Sequence, residues 1–399
     1  MRYDVVVAGA GPAGATAARE CALHGLSVIL LDRAAFPRDK PCGGGVTLRA
    51  ARHLPFALTP VVERVIYGAR VSVRGSPWVD LRSPEPIAYL TQRSRLDGFL
   101  VEEALCAGVT LRERAPVRTV ERQGTHLVVR AGSEAFEGRT LVVADGVNGQ
   151  TARMAGVVVK RRLAVALEAT LTPRGGIPRE WEDLFGLDVG APPGGYGWIF
   201  PKGDHLNIGV GGWRPDAAGL RGRLEQLVRF CGFDPAGLRG LRGYHLPIRA
   251  PEAPLRDGPV VLVGDAAGLL EPLTGDGIYP AIWSGRAAAT HLAAYLSGQV
   301  SDLNGYEAEI AKSLLPDLRI AGRVHAVMHL APWIVVGLIR QTPRAWGLAC
   351  RIVRGDQTYA GALRRLVRRM SGRAVVGIAG IRRRGASGPA RPPGARSRG

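Results

Sequence analysis

The chain lacks any apolar run of the roughly eighteen residues that a membrane-spanning helix needs; stretches such as Ala331 to Ile339 stop well short. It also lacks a leader-like start, because a strand-like pattern begins at Tyr3, so no signal peptide is expected. Paired cysteines are missing: Cys21, Cys42, Cys106, Cys231 and Cys350 are odd in number, scattered and without a C-x-x-C spacing. That usage predicts a reduced, cytoplasmic protein with no structural metal. His325 and His329 stand four apart on a predicted helix, but no acid or third ligand accompanies them, so they read as ordinary helical histidines. Acidic residues are absent from Gly361 onward, where 11 arginines supply 11 of the 19 net positive charges and leave +8 for the rest. No nucleic-acid recognition module accompanies this charge, so no nucleic-acid partner is expected. The extreme tail has too few apolar residues for a core and reads as a solvated segment. The other reading is peripheral attraction to an anionic membrane at its inner face, because an amphipathic segment, Leu363 to Arg369, adjoins the tail.

What is present begins at once. Tyr3 to Ala8 is an apolar strand that runs into Gly9-Ala10-Gly11-Pro12-Ala13-Gly14. In a dinucleotide-binding βαβ unit the first glycine allows the tight turn, the second lets the backbone approach a pyrophosphate, and the third lets the helix pack on the strand. The phosphates then sit at a helix N-terminus. A helix from Pro12 to His24 stops at Gly25, and the strand Val28 to Leu31 ends at Asp32, where an acid binds a ribose hydroxyl.

Further along, Lys40-Pro41-Cys42-Gly43-Gly44-Gly45 is a glycine-rich loop, with a helical stretch predicted near Val46 to His53. Period-two alternation over Val65 to Val73, Trp78 to Leu81 and Ile87 to Thr91 predicts strands. A helix is predicted over Arg95 to Ala107, and a second β-rich region from about Leu163 to Leu246. From Gly277 the pattern is helical, interrupted by prolines and glycines. The expected fold is α/β: a Rossmann-like dinucleotide-binding domain, an inserted antiparallel β-sheet substrate domain and a helical C-terminal region. The expected boundaries are 1–64, 92–160 and 255–300 for the dinucleotide-binding domain, 65–91 and 161–254 for the sheet domain, 301–370 for the helices and 371–399 for the basic tail.

Two further blocks repeat the opening pattern of a strand ending in an acid: Ala144-Asp145-Gly146 and Val263-Gly264-Asp265. With Gly9 to Gly14 and Asp32, they resemble the FAD-binding set of the flavoprotein group that includes p-hydroxybenzoate hydroxylase, which implies that the Rossmann-like domain is an FAD-binding domain of glutathione-reductase type. That resemblance implies that Asp265 binds near the ribityl and pyrophosphate groups, and that Arg93, with Arg95 as its competitor, helps hold the same region. Gly275-Asp276-Gly277-Ile278 starts a helix whose free N–H groups could face negative charge on a reduced flavin. The pattern Tyr196-x-Trp198-x-Phe200-Pro201 followed by Gly209-x-Gly211, together with the Cys42 loop, resembles the geranylgeranyl reductase family of FAD-dependent oxidoreductases over roughly residues 1 to 330.

Membership implies saturation of carbon–carbon double bonds in an isoprenoid chain by hydride from flavin N5, the chain being a geranylgeranyl group, a prenyl lipid or a menaquinone side chain. The candidate cofactor residues are Gly9, Gly11, Pro12, Ala13, Gly14, Asp32, Arg33, Cys42, Gly43, Gly44, Arg93, Val117, Asp145, Gly146, Gly264, Asp265, Gly275, Gly277 and Ile278. Tyr196 and Trp198 would form an aromatic wall for an apolar chain, or else ordinary core. Cys42, Tyr196, Tyr279 or a water would supply the proton. The electron donor would be NADPH or reduced ferredoxin, since no second glycine fingerprint is present. Two other activities suit the same motifs: a flavin monooxygenase or halogenase, and a membrane-peripheral electron carrier to quinone. The absence of a ferredoxin-like cysteine cluster counts against the carrier.

Overall fold

A computed structural model describes residues 1–212 and 217–368; the basic tail and the end of its amphipathic neighbour at Arg369 lie outside the described residues. The central parallel strands run in the order Thr110–Arg112, Val28–Leu31, Arg2–Ala8, Glu134–Val143 and Val260–Leu262. Their runs Val5 to Ala8, Val28 to Leu31 and Leu141 to Val143 are buried throughout, as expected where helices cover both faces of a parallel sheet. Glu134–Val143 is long enough to serve twice, pairing in its first half with the antiparallel strand His126–Ala131 and in its second with the opening strand. Helix Pro12–Leu23 packs on the sheet, and the long helix Ile278–Leu296 lies against it, bringing a late segment of the chain back to the nucleotide loop.

A seven-stranded sheet stands beside this layer, in the order Leu238–Arg249, Arg161–Leu171, Leu206–Gly212, Gly195–Pro201, Leu184–Val189, Gly68–Val73, Val79–Arg82. It is antiparallel except between Leu184–Val189 and Gly68–Val73, which pair in parallel. The early hairpin of Gly68–Val73 and Val79–Arg82 thus extends a sheet built mainly from later residues, with Val79–Arg82 at its edge. A small sheet of Gly45–Thr47, Ala88–Leu90 and Arg64–Ile66 joins the two layers. Pairing with Ala88–Leu90 converts the first residues of the predicted Val46 to His53 helix into strand. Helix begins only at Leu48–Ala51, where the Ala50 N–H donates to Thr47 Oγ1 at 3.2 Å. The helix predicted from Arg95 begins at Arg93.

The C-terminal helices Leu315–Leu330, Pro332–Gln341 and Pro343–Arg354 each carry proline in the first turn, where its missing N–H costs nothing. The first two meet at a 105° bend, and among the described residues no single helix is long and apolar enough to cross a membrane.

Candidate functional site

One cavity of about 830 Å³ runs from the Gly9 loop, between the parallel layer and the seven-stranded sheet, to the C-terminal helices. Its first end is the glycine loop. Gly9 has φ +102°, and a Cβ there would lie 2.5 Å from the Ala144 carbonyl oxygen. A Cβ on Gly14 would lie 1.8 Å from the Gly9 carbonyl oxygen, so this glycine is needed for packing and does not line the cavity. Gly11 differs, since a Cβ there would meet only the guanidinium groups of Arg38 and Arg93, at 3.5 and 4.0 Å. The open face of Gly11 is therefore an anion cradle made of a helix N-terminus and two arginines.

Both arginines are held from behind by Asp97. Arg93 Nε and Nη2 donate to its two oxygens at 2.7 Å each, and Arg38 Nη1 lies 3.0 Å away. Burial alone would lower the Arg93 pKa, but the Asp97 carboxylate outweighs it and holds the guanidinium charged. Arg95, two residues on, instead points to Glu63 at 3.2 Å on the protein exterior. Asp32 accepts the Ala10 and Ala34 N–H groups at 2.8 and 2.9 Å, which fixes its carboxylate at the tip of its strand. Asp145 accepts the Thr151 N–H, and burial raises its pKa. Asp265 pairs with Lys40 at 3.3 Å. An open cradle, two charged arginines and three strand-end carboxylates fit an adenine dinucleotide bearing a pyrophosphate and a ribityl chain.

The middle of the cavity is a polar network. The Cys42 N–H donates to Glu168 Oε1 at 3.0 Å, Asn207 Nδ2 donates to Glu168 Oε2 at 3.3 Å, and Trp198 Nε1 donates to Asn207 Oδ1 at 2.7 Å. Trp198 lies flat over Gly209, where a Cβ would come within 2.0 Å of the indole. The Phe200 ring covers Gly43, so the aromatic strand and the Cys42 loop are one packed unit. Lys202 locks it: its Nζ donates to the carbonyls of Gly43 and Thr91 at 2.6 and 2.8 Å in a fully buried position. Burial lowers its pKa to about 8.

That value carries a prediction with a defined sign. The folded pKa lies below the ordinary value, so the destabilising cost of a buried ammonium is present below pH 8 and is relieved as pH rises toward 10.5. The Tm of the wild type minus that of Lys202→Met is expected to rise, in the positive direction, between pH 8 and pH 10, read by differential scanning fluorimetry. A constant difference would show that Lys202 does not titrate in this window.

At the helix start the structure corrects one reading. The N–H groups of Ile278 and Tyr279 are not free, because Asp276 Oδ1 accepts both at 2.9 and 3.1 Å. Gly275, Gly277 and Ile278 still line the cavity. Tyr196 also lines it, and its hydroxyl donates to the Thr274 carbonyl, which ties the aromatic strand to this loop. Burial raises the Tyr196 pKa and makes it a weaker acid. Tyr279 is set apart: it does not line the cavity, and its ring lies 3.9 Å beneath the Arg49 guanidinium, so it is removed from the candidate proton donors. Gly264 is likewise a packing position, its N–H donating to Ser284 Oγ at 3.0 Å. Every other candidate residue lines the cavity. Arg38, Lys40, Glu168, Lys202 and Asn207 were not singled out from sequence; each is one polar residue whose partner is distant in the chain.

The far end is apolar. Val71, Leu187 and Phe185 from the seven-stranded sheet face Met328, Val336 and Trp346 from the C-terminal helices. The site thus joins an anion-binding end to an apolar end through Cys42 and Trp198.

Residues 2–169 match the family described as FAD binding domain. The chain is 33% identical to geranylgeranyl diphosphate reductase of Rhodobacter capsulatus over 76% of its own length and 78% of that protein. It is 31% identical to menaquinone reductase of Mycobacterium tuberculosis over 92% and 97% of the two lengths. A solved geranylgeranyl bacteriochlorophyll reductase-like protein from Thermoplasma acidophilum superposes with a TM-score of 0.76 at 22% identity, covering 88% of this chain and 96% of that one.

Proposed function

Because this chain belongs to the geranylgeranyl reductase family of FAD-dependent oxidoreductases, we propose that it saturates carbon–carbon double bonds of an isoprenoid chain. The observation that carries this reading is the continuity of one cavity from the Gly11 cradle to the apolar end lined by Val71, Leu187 and Val336. FAD, when bound, supplies hydride from reduced N5. The chain's own residues do the rest. Arg38 and Arg93 bind the anionic part of the cofactor, and Asp32, Asp145 and Asp265 orient its ribose and ribityl hydroxyls. Glu168, Asn207 and Lys202 hold the Cys42 loop and Trp198 rigid, so that the reacting double bond meets fixed walls that exclude water. Cys42 holds the proton that follows the hydride; its thiol lines the cavity and accepts the Gly44 N–H at 3.4 Å.

Electrons come from NADPH or a reduced ferredoxin. The absence of a second nucleotide loop in the sequence supports a donor that visits transiently.

The test is anaerobic incubation of the reduced holoenzyme with geranylgeranyl diphosphate and, separately, with menaquinone, followed by mass spectrometry. Gain of hydrogen in pairs on the side chain is the expected result. An unchanged side chain with a reduced quinone ring would replace this reading with electron transfer, and a hydroxylated product from a parallel incubation in air would replace it with monooxygenation.

A further inference from the structure

Helix Pro332–Gln341 has no charged side chain before Arg340 and is apolar on every side. Its inner face serves the cavity, which Val336 and Ile339 line. Its outer face is bare: Trp333, Ile334 and Leu338 are 54%, 62% and 58% exposed. Across the 105° bend, the end of the preceding helix adds Val327 and Leu330, 53% and 75% exposed. A helix apolar all round belongs in a protein core or in lipid, and a contiguous exposed apolar patch marks an interaction surface.

Charge identifies the occupant. Between Asp317 and Asp356 the sequence has no acid, while Arg323, Arg340, Arg344 and Arg351 are exposed along these helices. The Arg74 guanidinium lies 5.5 Å from the Trp333 ring, adding a cation from the neighbouring sheet. Arginines around an apolar patch with an exposed tryptophan complement an anionic bilayer surface, where apolar side chains enter the acyl boundary and cations meet lipid phosphates. A second copy is disfavoured as the occupant, because a two-fold interface here would set one arginine rim against another.

The cavity also reaches the surface at this face. His329 is exposed and lines it, and the His329 ring packs on Gly194, in a loop whose Gly190 adjoins Pro332.

We propose that the bend around Ala331 docks on an anionic lipid bilayer, with Leu330, Trp333, Ile334 and Leu338 inserted and the arginine rim on the headgroups. This places the cavity opening beside His329 against the lipid. The docking goes beyond the proposed reductase activity and does not depend on it; only the consequence that a chain enters sideways from the bilayer rests on that reading.

The test uses the full-length holoenzyme and vesicles of phosphatidylcholine alone or mixed with phosphatidylglycerol. The wild type is expected to co-sediment with the mixed vesicles and not with phosphatidylcholine alone. Trp333→Ser/Ile334→Ser/Leu338→Ser is expected to lower the partition coefficient at least about tenfold, and Arg340→Glu/Arg344→Glu about fivefold or more. Flavin content should be unchanged in both. Tryptophan fluorescence of the wild type should be quenched by brominated phospholipid, and Trp333→Phe should lose most of that quenching, a readout that does not depend on the multiple variant folding. Undiminished binding by the serine variant would assign membrane attraction to the arginine-rich tail and overturn the proposal. So would absence of wild-type binding, or a lipid-free dimer in sedimentation velocity that the serine variant dissolves. Because no turnover is read, failure here leaves the reductase reading standing, and failure of the reductase assay leaves this one standing.

Discussion

Replacing Arg93 with leucine is expected to weaken FAD binding about 10²- to 10³-fold while Arg95→Leu leaves it within about threefold. The guanidinium faces the open side of Gly11, and each charge-assisted hydrogen bond it would give an anion is worth about 1.5–3 kcal/mol; two such bonds near the lower end, about 3–4 kcal/mol together, give the expected loss. Arg95 turns outward to Glu63 and Pro60 and has no route to the cradle. The fold should survive the substitution, because Arg38 remains 3.0 Å from Asp97 and prevents that carboxylate from being left buried without a cation. Arg93→Leu/Asp97→Leu controls for this, removing both charges. Titration of flavin into apoprotein, read by quenching of flavin fluorescence, gives the affinities, and thermal unfolding of the apoproteins checks the fold. Equal losses from Arg93→Leu and Arg95→Leu would place the phosphate contact elsewhere.

Arg93 and Arg95 also show where sequence reading reaches its limit. Two residues apart on a helix they point in different directions, and which one turns inward depends on where the helix starts. The family resemblance selects Arg93, whereas helical periodicity, which starts the helix at Arg95 rather than Arg93, does not separate the two. The nucleotide loop was readable because its signal is local: a buried strand, three spaced glycines and an acid at the end of the next strand. The Cys42 loop and the aromatic strand were readable as separate motifs. Their union was not, because the residues that join them, Glu168, Asn207 and Lys202, are single polar side chains whose meaning appears only once Arg161–Leu171 pairs with Leu206–Gly212. The capping of the helix start by Asp276 was hidden for a similar reason. A carboxylate just before a helix is an ordinary cap, and the glycines on either side drew attention to the N–H groups rather than to the residue that occupies them.

Narrowing the apolar end should separate chain length from chemistry. Leu187 sits opposite Trp198 in the sheet register and lines the cavity beyond the Cys42 region. Leu187→Trp is expected to lower kcat/KM for a geranylgeranyl substrate about 10²- to 10³-fold while a geranyl substrate loses less than about fivefold. The estimate follows from excluding one five-carbon unit, worth about 4 kcal/mol at roughly 0.8 kcal/mol per buried carbon, less what partial repacking recovers. Reduction of bound flavin by dithionite, followed spectroscopically, should be unchanged, since the substitution leaves Gly11, Arg38 and Arg93, which form the anion cradle, in place. The two substrates make the experiment diagnostic. If the cavity beyond Trp198 holds the chain, the loss must grow with the number of isoprene units that have to pass Leu187. If that space is only slack in the core, an added indole would fill it and raise the Tm, with no dependence on chain length. A uniform loss for both substrates would mean that the chain leaves the flavin by another path, and the apolar end would then have to be reassigned.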